Sequence, residues 1–537
     1  KARPAGLVRA RGSFRRCRSN RLVFMLRGVN ALLIYPRIPD TFWSLRHALS
    51  FLRKKALVPP LGLLTIASML PRNWQLRLAD LNVGPLRQAD LDWADCALIS
   101  AMDIQRASAR WVIERCRSAG VRIIAGGPLF TAQPEAFADV DHLVLNEAEV
   151  TLPEFLEDWA AGRARPVYRS SALADLGRTP IPDWSLASLR HYSNAPIQFS
   201  RGCPYDCEFC DVTVLFGRRP RVKSAAQILA ELQALLARGW REPVLFVDDN
   251  LIGNKPAARD ELLPALAGWQ KRHGPIPFVT QVSLNLADDE PLMELMRRAG
   301  FDTVFVGVET PDPEALDECH KTPNLHRDLL QSVRRLQRAG LQVQAGFIVG
   351  FDSDKPDVFE RQSCFIQTSG IPTAMVGMLQ AFPGTRLYER LQQEGRLRGD
   401  PSGDNVDATT NIEPKMGQDL LRRGYRSLLK ALYMPGAYYR RVRTFLREYR
   451  RPQIELPAQH GRFAAFLRSL VRLGVVGPER WQYWKLLLWT LLCRPGLLPV
   501  AISLAISGHH LRRIVELQAG NAPDLAKDHP APEPLAP

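Results

Sequence analysis

The stretch APIQFSRGCPYDCEFCD, residues 195–211, joins a short apolar run to a loop that carries Cys203, Cys207 and Cys210. The apolar run predicts a β-strand, and the cysteines follow it with the spacing Cys-x3-Cys-x2-Cys. A structural zinc site normally takes four ligands, and a disulfide would leave the third thiol unpaired. An iron–sulfur cluster usually takes four cysteines, so three would leave one iron open to a substrate or cofactor. The loop therefore indicates a cluster with a vacant coordination position at the end of a strand.

Further apolar runs repeat this strand pattern downstream, at residues 243–250, 277–283, 302–310, 341–351 and 373–382. Helical stretches such as SAAQILAELQALLARG and DEPLMELMRRAG separate them. Six β/α units predict a partial (β/α)6 barrel of the TIM type, whose chemistry belongs on the loops after the strands. The cysteine loop is the first of these loops.

A second alternating series precedes the barrel, with candidate strands at 31–36, 75–82, 95–102, 121–128 and 142–149. Alternation of strand and helix predicts an α/β domain with a doubly wound, Rossmann-like parallel sheet. Such sheets bind ligands at the carboxyl ends of their strands, where this sequence carries Gly126, Gly127, Pro128 and Glu147. A tight turn is the alternative interpretation of the glycine pair.

The remaining segments complete the predicted organisation. We expect an N-terminal arm, disordered or mis-started, at 1–27, the doubly wound domain at 28–165, a proline-punctuated linker at 166–194, the barrel at 195–396, a helical C-terminal domain at 397–512 and a disordered, proline-rich tail at 513–537.

Charge and cysteine usage limit the class of protein. The chain has 71 Lys and Arg against 55 Asp and Glu, a net charge of +16. A nucleic-acid partner is rejected because zinc-finger spacing, an aromatic RNA-binding signature and a long central basic run are all missing. Nine cysteines in 537 residues do not form a secreted disulfide framework, so a reducing, cytoplasmic compartment is expected.

The cysteine spacing and its position after the first barrel strand resemble the radical S-adenosylmethionine (SAM) enzymes. The resemblance implies that Cys203, Cys207 and Cys210 hold a [4Fe-4S] cluster whose fourth iron is chelated by SAM, and that an external flavodoxin- or ferredoxin-type donor supplies the electron for SAM cleavage. The other cysteines are scattered, so an auxiliary cluster is not expected.

The resemblance also implies a set of SAM-binding residues. An aromatic residue beside adenine, carboxylates for the methionyl amine and a glutamate for the ribose have matches here. The implied residues are Phe209, Asp248, Asp249, Asn250, Ser283, Glu309, Gly346 and Ile348. Packing alone would also account for Phe209 and for residues 345–351, and the adjacent carboxylates could instead cap the following helix.

A doubly wound domain ahead of such a barrel resembles the vitamin B12-dependent branch, which implies cobalamin at Gly126, Gly127, Pro128 and Glu147. The motifs SRGCPYDCEFCD, FVDDNLIGN and FVGVETPDP, with the helical extension, are similar to those of the hopanoid C-2 methylase group. This implies a C-methyltransferase acting on an unactivated carbon of a hydrophobic, lipid-like substrate. Cyclisation or rearrangement, and a non-catalytic redox sensor that binds the cluster and SAM, are the alternatives.

The helical extension contains two features that suit a membrane surface. Residues 438–452 interleave six arginines with aromatic residues, and apolar runs at 486–493 and 496–507 are interrupted by Arg494 and Pro495. A spanning helix needs about 20 apolar residues, so we expect peripheral contact with the inner face of the membrane instead. A buried helical hairpin with a solvated basic face is the alternative.

Overall fold

The chain folds into two parallel sheets followed by a helical extension, which a computed structural model describes for residues 28–450 and 460–520. The first sheet contains β1 Asn30–Tyr35, β2 Gln75–Asp80, β3 Cys96–Ser100, β4 Arg122–Gly126, β5 His142–Val144 and β6 Val167–Tyr168. Its strands are parallel in the order β2-β1-β3-β4-β5-β6. This order confirms the predicted doubly wound domain.

Helices cover both faces of the first sheet. They are α1 Arg46–Leu52, α2 Leu61–Ala67, α3 Gln88–Trp93, α4 Arg106–Ser118, α5 Pro128–Ala132 and α6 Ala148–Ala160. Alternate strand residues enter two separate cores: Leu32 and Ile99 lie in one, Leu33 and Leu98 in the other. Burial on both faces explains why these strands appear in the sequence as continuous apolar runs.

The predicted linker begins with a strand, which corrects that prediction at its first residues. Tyr168 of β6 is buried, and its hydroxyl donates to Asp158 at 2.9 Å. Its ring packs edge-on against Phe155 of α6. A two-residue strand gives too short an apolar pattern to be recognised from sequence, and tertiary packing of its tyrosine holds it in the sheet.

The second sheet forms the predicted partial barrel. Its strands are β7 Ala195–Ile197, β10 Val244–Phe246, β11 Phe278–Gln281, β12 Phe301–Glu309, β13 Gln342–Val349 and β14 Thr373–Met378. They are parallel and adjacent in chain order, with β7 and β14 at the two edges. A short antiparallel ribbon of β8 Ser200–Arg201 and β9 Arg221–Val222 brackets the cysteine loop.

Helices surround the barrel and continue into the extension. The barrel helices are α7 Val212–Phe216, α8 Ala225–Ala237, α9 Leu263–His273, α10 Glu290–Ala299, α11 Pro313–Glu318, α12 Leu329–Arg338, α13 Val358–Ser369 and α14 Arg386–Gln393. Those of the extension are α15 Gln418–Tyr433, α16 Pro435–Glu448, α17 His460–Val471, α18 Arg480–Cys493 and α19 Leu498–Gly520.

The helical extension closes the open edge of the barrel. The hydroxyl of Tyr425 in α15 donates to the carbonyl of Val376 in β14 at 3.0 Å, and that of Tyr433 donates to Ala374. The extension also reaches the first domain, because Phe42 and Phe51 share one core with its helices. The three parts therefore pack as one body around the barrel.

Three observations refine the prediction for the extension. Residues 398–417 contain no helix, and Asn411 in this segment instead exchanges hydrogen bonds with the backbone of Ala381. Helix α19 runs to Gly520, past the predicted start of the tail, because Leu511 and Ile514 are buried. The described part of 438–452 has a buried and a solvated side: Arg441 is fully buried and donates to the carbonyl of Leu432, whereas Arg440 and Arg447 are exposed.

The predicted N-terminal arm (1–27), residues 451–452 and the rest of the predicted tail (521–537) lie outside the described residues. Among the described helices, none combines the length and hydropathy needed to cross a bilayer.

Candidate active site

The cysteine loop lies at the carboxyl end of the barrel, between β8 and α7. Its three thiols are free and half-buried. Gly202 begins the loop with φ 93°, and a Cβ there would lie 2.8 Å from the carbonyl oxygen of Gly217, so only glycine fits. The amide of Glu208, inside the loop, donates to the carbonyl of Cys319 at 3.0 Å and ties the loop to the segment after α11.

The electrostatics of the thiols suit metal ligation. Burial raises the pKa of the thiols of Cys203, Cys207 and Cys210, while the ammonium group of Lys321 lowers it in each case. Metal binding must therefore displace the thiol protons, as is usual for cysteine ligands. Within the described residues, no three His, Cys, Asp or Glu side chains gather tightly enough for a single metal ion. Cysteine thiolates are the ligands of iron–sulfur clusters, and three free thiols on one loop are a donor set that fits such a cluster.

The carboxylates after β10 have different environments. Asp248 is fully buried, and its oxygens accept hydrogen bonds from the amides of Phe199 and Ser200 and from the Ser200 hydroxyl at 2.6 Å. Both oxygens are thus engaged in holding the strand that leads into the cysteine loop, and the role of Asp248 as a SAM contact stays a prediction.

Asp249 is only partly buried, and no hydrogen bond from another described residue to its carboxylate is observed. Burial, with repulsion from Asp248 and Asp211, raises the pKa of Asp249 to about 7. Asp249 is thus the carboxylate of this pair that remains available to a ligand.

Asn250 and Ser283 link the ends of β10 and β11 to the cysteine loop. The Asn250 side chain donates to the Ser283 hydroxyl at 3.2 Å and accepts from the Ser283 amide at 3.1 Å. It also hydrogen-bonds the Cys203 thiol, which lowers the pKa of that thiol against the larger effect of burial. Ser283 in turn donates to Asn285, whose side chain donates to Tyr205 in the loop at 2.9 Å. The structure brings together both predicted residues as supports of the loop.

Glu309 forms a buried ion pair that the sequence did not predict. Lys321 Nζ lies 2.6 Å from Glu309 Oε1, with side-chain exposures of 16% and 8%. Burial acts to lower the pKa of Lys321, but Glu309 and Cys207 raise it above its usual value. A Cβ on Gly307 would approach Glu309 Oε1 to 2.1 Å, so glycine leaves the space that the pair occupies.

Glu309 also has a left-handed backbone, with φ 63°, where the register of β12 against β13 shifts. Such a conformation is uncommon for a residue other than glycine and costs on the order of 1 kcal/mol. A strained backbone at a strand end, beside a buried ion pair, makes Glu309 a candidate functional position.

The other predicted SAM residues lie on two neighbouring surfaces. Phe209 and Ile348 pack against the same apolar cluster, and the Phe209 ring lies 6.3 Å from that of Phe351. Gly346 pairs in register with Gly307, and a Cβ there would lie 3.1 Å from the Phe305 ring. Gly346 therefore makes room for a protein side chain.

The glycine pair at the end of β4 is a tight turn that also permits close packing. Gly127 has φ 92°, and a Cβ there would lie 2.6 Å from Ser100 Oγ, while one on Gly126 would lie 2.5 Å from the Val144 carbonyl. Pro128 follows as the first residue of α5. The turn accounts for the glycines without a ligand, and it brings Pro128 to the edge of a cavity.

That cavity, ≈ 370 Å³ in volume, separates the carboxyl ends of the two sheets. Pro128 and Asn146 line it from the first domain, and Asp211, Val214 and Phe382 line it from the barrel. Asp211 directly follows Cys210, so the cavity connects the first domain to the cysteine loop. Ligands of doubly wound sheets bind at this end of the strands.

Glu147 is not among the residues that line this cavity, and its role as a cobalamin contact stays a prediction. Its side chain is 2% exposed and lies 2.7 Å from Arg221 and 3.1 Å from Arg201. Glu149, the second residue of α6, binds Arg201 at 2.7 Å. Burial acts to raise the pKa of Glu149, but Arg201 lowers it below its usual value. We call Glu147, Glu149, Arg201 and Arg221 the interdomain ion cluster, since it joins the first domain to the ribbon that brackets the cysteines.

Comparisons with known proteins agree with this arrangement. Residues 53–156 match the B12 binding domain, 197–361 the radical SAM superfamily, and 385–522 a domain of unknown function. An uncharacterized methyltransferase of Synechocystis sp. is 39% identical over 92% of this chain and 94% of its own length. Hopanoid C-2 methylase of Rhodopseudomonas palustris is 35% identical over 89% of this chain and 92% of its own length.

The chain belongs to the cobalamin-dependent radical SAM methyltransferases. The solved structure of OxsB, a cobalamin-dependent SAM radical enzyme with aqua-cobalamin and SAM bound, has the same fold, with a TM-score of 0.58 and 15% identity over 95% of this chain and 83% of that one. The enzyme accordingly uses a [4Fe-4S] cluster, SAM and cobalamin, and the predicted fold class is confirmed.

Sequence reasoning missed two sets of residues in this methyltransferase site. Lys321 carries no motif of its own, and its place beside Glu309 depends on the loop after α11. Arg201 and Arg221 flank the cysteine loop in sequence, and this placement could have indicated that they pair across its base. Their acidic partners lie 54 and 74 residues away, so the pairing itself was not visible.

Proposed function

We propose that this enzyme transfers a methyl group to an unactivated carbon of a hydrophobic, hopanoid-like lipid. The observation that carries the proposal is the cavity between the two sheets, whose barrel side begins one residue after Cys210. A ligand in this cavity would face both the first domain and the cysteine loop. The 35% identity to hopanoid C-2 methylase over most of both chains supports the substrate class.

The cluster with SAM would supply one-electron chemistry that activates a carbon, and cobalamin would supply the methyl group. Cys203, Cys207 and Cys210 would hold the cluster. The free carboxylate of Asp249 would accept hydrogen bonds from the methionyl ammonium. Glu309, held in place by Lys321 at 2.6 Å, would accept from the ribose hydroxyls.

The remaining predicted residues would shape the adenine pocket or support the cysteine loop. Phe209 and Ile348 would pack beside the adenine, since both face one apolar cluster. Asn250 and Ser283 would hold Cys203 through the hydrogen bonds described above. Val214, Leu215 and Phe382 give the barrel side of the cavity an apolar lining that would exclude water from the reacting carbon.

An external flavodoxin- or ferredoxin-type donor would supply the electron. A second, open cleft of ≈ 430 Å³ lies beside the cysteine loop and is lined by Tyr205, Arg219 and Lys255. Its two cations would complement an acidic donor. The enzyme would act in the cytoplasm, with peripheral contact to the membrane that supplies the lipid.

Mass spectrometry of lipid extracts tests the proposal. Cells with the gene should contain a polycyclic lipid heavier by one CH₂ than the lipid of cells without it. Complementation with the Cys207→Ala variant should not restore this species, whereas wild type should. A gene-dependent product of unchanged mass would instead indicate cyclisation or rearrangement, and an unchanged lipid profile would refute a lipid substrate.

A further inference from the structure

The outer face of helices α17 and α18 exposes large apolar side chains that no part of the described chain covers. They include Phe463 (65%), Leu467 (47%), Val471 (56%), Trp481 (70%), Leu488 (59%) and Leu492 (74%). Isolated exposed apolar residues are normal on protein surfaces, whereas a contiguous patch marks an interaction site. We call this patch the α17–α18 face.

The spacing of these residues places them on one side of each helix. Phe463, Leu467 and Val471 recur every four residues along α17, and Trp481, Leu488 and Leu492 recur at intervals of seven and four along α18. The opposite sides are buried. There the Ser469 hydroxyl of α17 lies 2.7 Å from the Tyr483 hydroxyl of α18, which joins the inner sides. Packing within the enzyme therefore explains only the inner half of each helix.

The turn between the helices makes the two outer sides continuous. Trp484 Nε1 donates to the carbonyl of Gly474 at 2.9 Å, and a Cβ on Gly474 would lie 3.2 Å from the same nitrogen. Val475 and Val476, at the end of the π-helical segment Arg472–Val476 that extends α17, are 63% and 74% exposed. The apolar surface thus runs from α17 across the turn to α18.

The charge on this part of the chain is positive. Residues 460–500 contain six Lys and Arg and one acidic residue, Glu479. The Glu479 side chain is 2% exposed and is bound by Arg512 at 2.8 Å, so it contributes no outward negative charge. Arg480 and Lys485 are exposed on α18 beside the apolar residues. An anionic surface complements this arrangement, whereas a second copy of the chain would bring like charges together.

We propose that the α17–α18 face docks the enzyme on an anionic membrane, with both helices lying in the plane of the interface. Helix α18 has 14 residues. That is a length of about 21 Å, too short for the ~30 Å hydrocarbon core but suited to an interfacial position. Trp481 and Trp484 are of the residue type enriched at headgroup depth. This inference rests on the membrane association proposed above and replaces residues 438–452 as its site.

Sedimentation with vesicles tests the inference on the full-length enzyme loaded with its cofactors. Wild type should bind vesicles of phosphatidylcholine with phosphatidylglycerol at low salt, and should bind less at high salt or to phosphatidylcholine alone. The double variant Leu488→Asp/Leu492→Asp should lower the partition coefficient at least about tenfold, because it places two charges in the apolar face. Lys485→Glu should weaken binding at low salt and have little effect at high salt.

Matched controls separate docking from folding and from chemistry. Ile181→Asp changes an apolar residue of similar exposure (42%) outside the face and should bind as wild type does. Cluster absorbance and SAM cleavage should be unchanged in all variants. Equal binding by wild type and the double variant, or no binding by wild type, overturns the inference. A wild-type dimer that the double variant converts to monomer, without vesicle binding, would assign the face to a second copy instead.

The same variants distinguish failure of the inference from failure of the proposed function. The double variant should still methylate a detergent-solubilised lipid while it no longer binds vesicles. If the wild-type enzyme binds vesicles but methylates no lipid, the docking inference would hold and the proposed lipid substrate would be refuted.

Discussion

Neutralising Glu147 should loosen the connection between the first domain and the cysteine loop. Its carboxylate accepts hydrogen bonds from Arg221 Nη1 at 2.8 Å and Nη2 at 2.7 Å, from Arg201 Nη1 at 3.1 Å and from the Ala174 amide at 3.2 Å. Glu147→Gln keeps the shape but turns one acceptor into a donor that faces guanidinium groups. Among the described residues, no other carboxylate forms an ion pair with Arg221.

The expected cost follows from burial. Removing one partner of a buried ion pair costs about 3–5 kcal/mol. Arg201 keeps Glu149 at 2.7 Å, and Arg221 is 17% exposed and keeps two carbonyl acceptors, so we expect the lower end of that range. A loss of about 3 kcal/mol in the free energy of local opening corresponds to about 100-fold faster amide exchange.

Hydrogen exchange followed by mass spectrometry measures this opening directly. Peptides that contain β8, β9 and the start of α6 should exchange faster in Glu147→Gln. Glu154→Gln is a matched control in the same helix, because Glu154 and its partner Arg165 are 61% and 53% exposed. An exposed pair contributes less than about 1 kcal/mol, so exchange in the control should rise less than about fivefold.

Two results would refute the reasoning. Equal exchange of β8 and β9 in Glu147→Gln and Glu154→Gln would mean that the interdomain ion cluster does not hold the ribbon. The double variant Glu147→Gln/Arg221→Met should recover part of the lost protection from exchange, because it also removes the guanidinium that Glu147→Gln leaves unpaired. No recovery would mean that the unpaired charge is not the cause of the faster exchange. If the connection between the first domain and the cysteine loop is loosened in Glu147→Gln, this variant should form less methylated product for each SAM that it cleaves, at a constant cluster content.

Other predictions concern the cofactor-binding residues. Cys207→Ala should abolish the visible cluster absorbance after anaerobic reconstitution, whereas Cys319→Ala, which removes a nearby buried thiol, should retain it. Lys321→Met should raise the SAM dissociation constant, measured by equilibrium dialysis, at least about tenfold, because Glu309 is left buried without a cation, and Lys321→Arg should restore part of the affinity. Burial and Asp248 raise the pKa of Asp249 to about 7. Its ionised fraction, and with it SAM affinity, should therefore rise about tenfold from pH 6 to pH 8, and Asp249→Asn should remove this dependence. Electron paramagnetic resonance of the Co(II) form should lack nitrogen splitting, because the described lining of the cavity contains no histidine.

Local patterns in the amino-acid sequence determined the architecture of the two sheets. The strands are short apolar runs, and strands that follow one another in the chain are adjacent in the sheets, except β2 and β3, which lie on either side of β1. Their alternation with helices predicted both parallel sheets. The spacing of Cys203, Cys207 and Cys210 is a property of one loop, and the loop stays at the strand end where the sequence places it. The same reasoning predicted Asp249 and Glu309 as SAM contacts, since Asp249 follows β10 and Glu309 ends β12.

Tertiary structure decided what the polar residues at those strand ends do. Asp248 and Asp249 are adjacent in sequence, but the fold brings the segment after β7 only to Asp248. The carboxylate of Asp248 therefore accepts hydrogen bonds from Phe199 and Ser200, whereas that of Asp249 stays free. The sequence places Glu147 at a sheet edge, but only the fold pairs its carboxylate with Arg201 and Arg221 of the next domain. The exposed side of α18 was equally undetermined, since a helix apolar on all sides does not specify which side its own chain covers. The periodicity of apolar residues indicates which side of a single helix or strand is buried. The partner of a polar side chain, and the part of the chain that covers a helix, depend on residues far apart in sequence that only folding brings together.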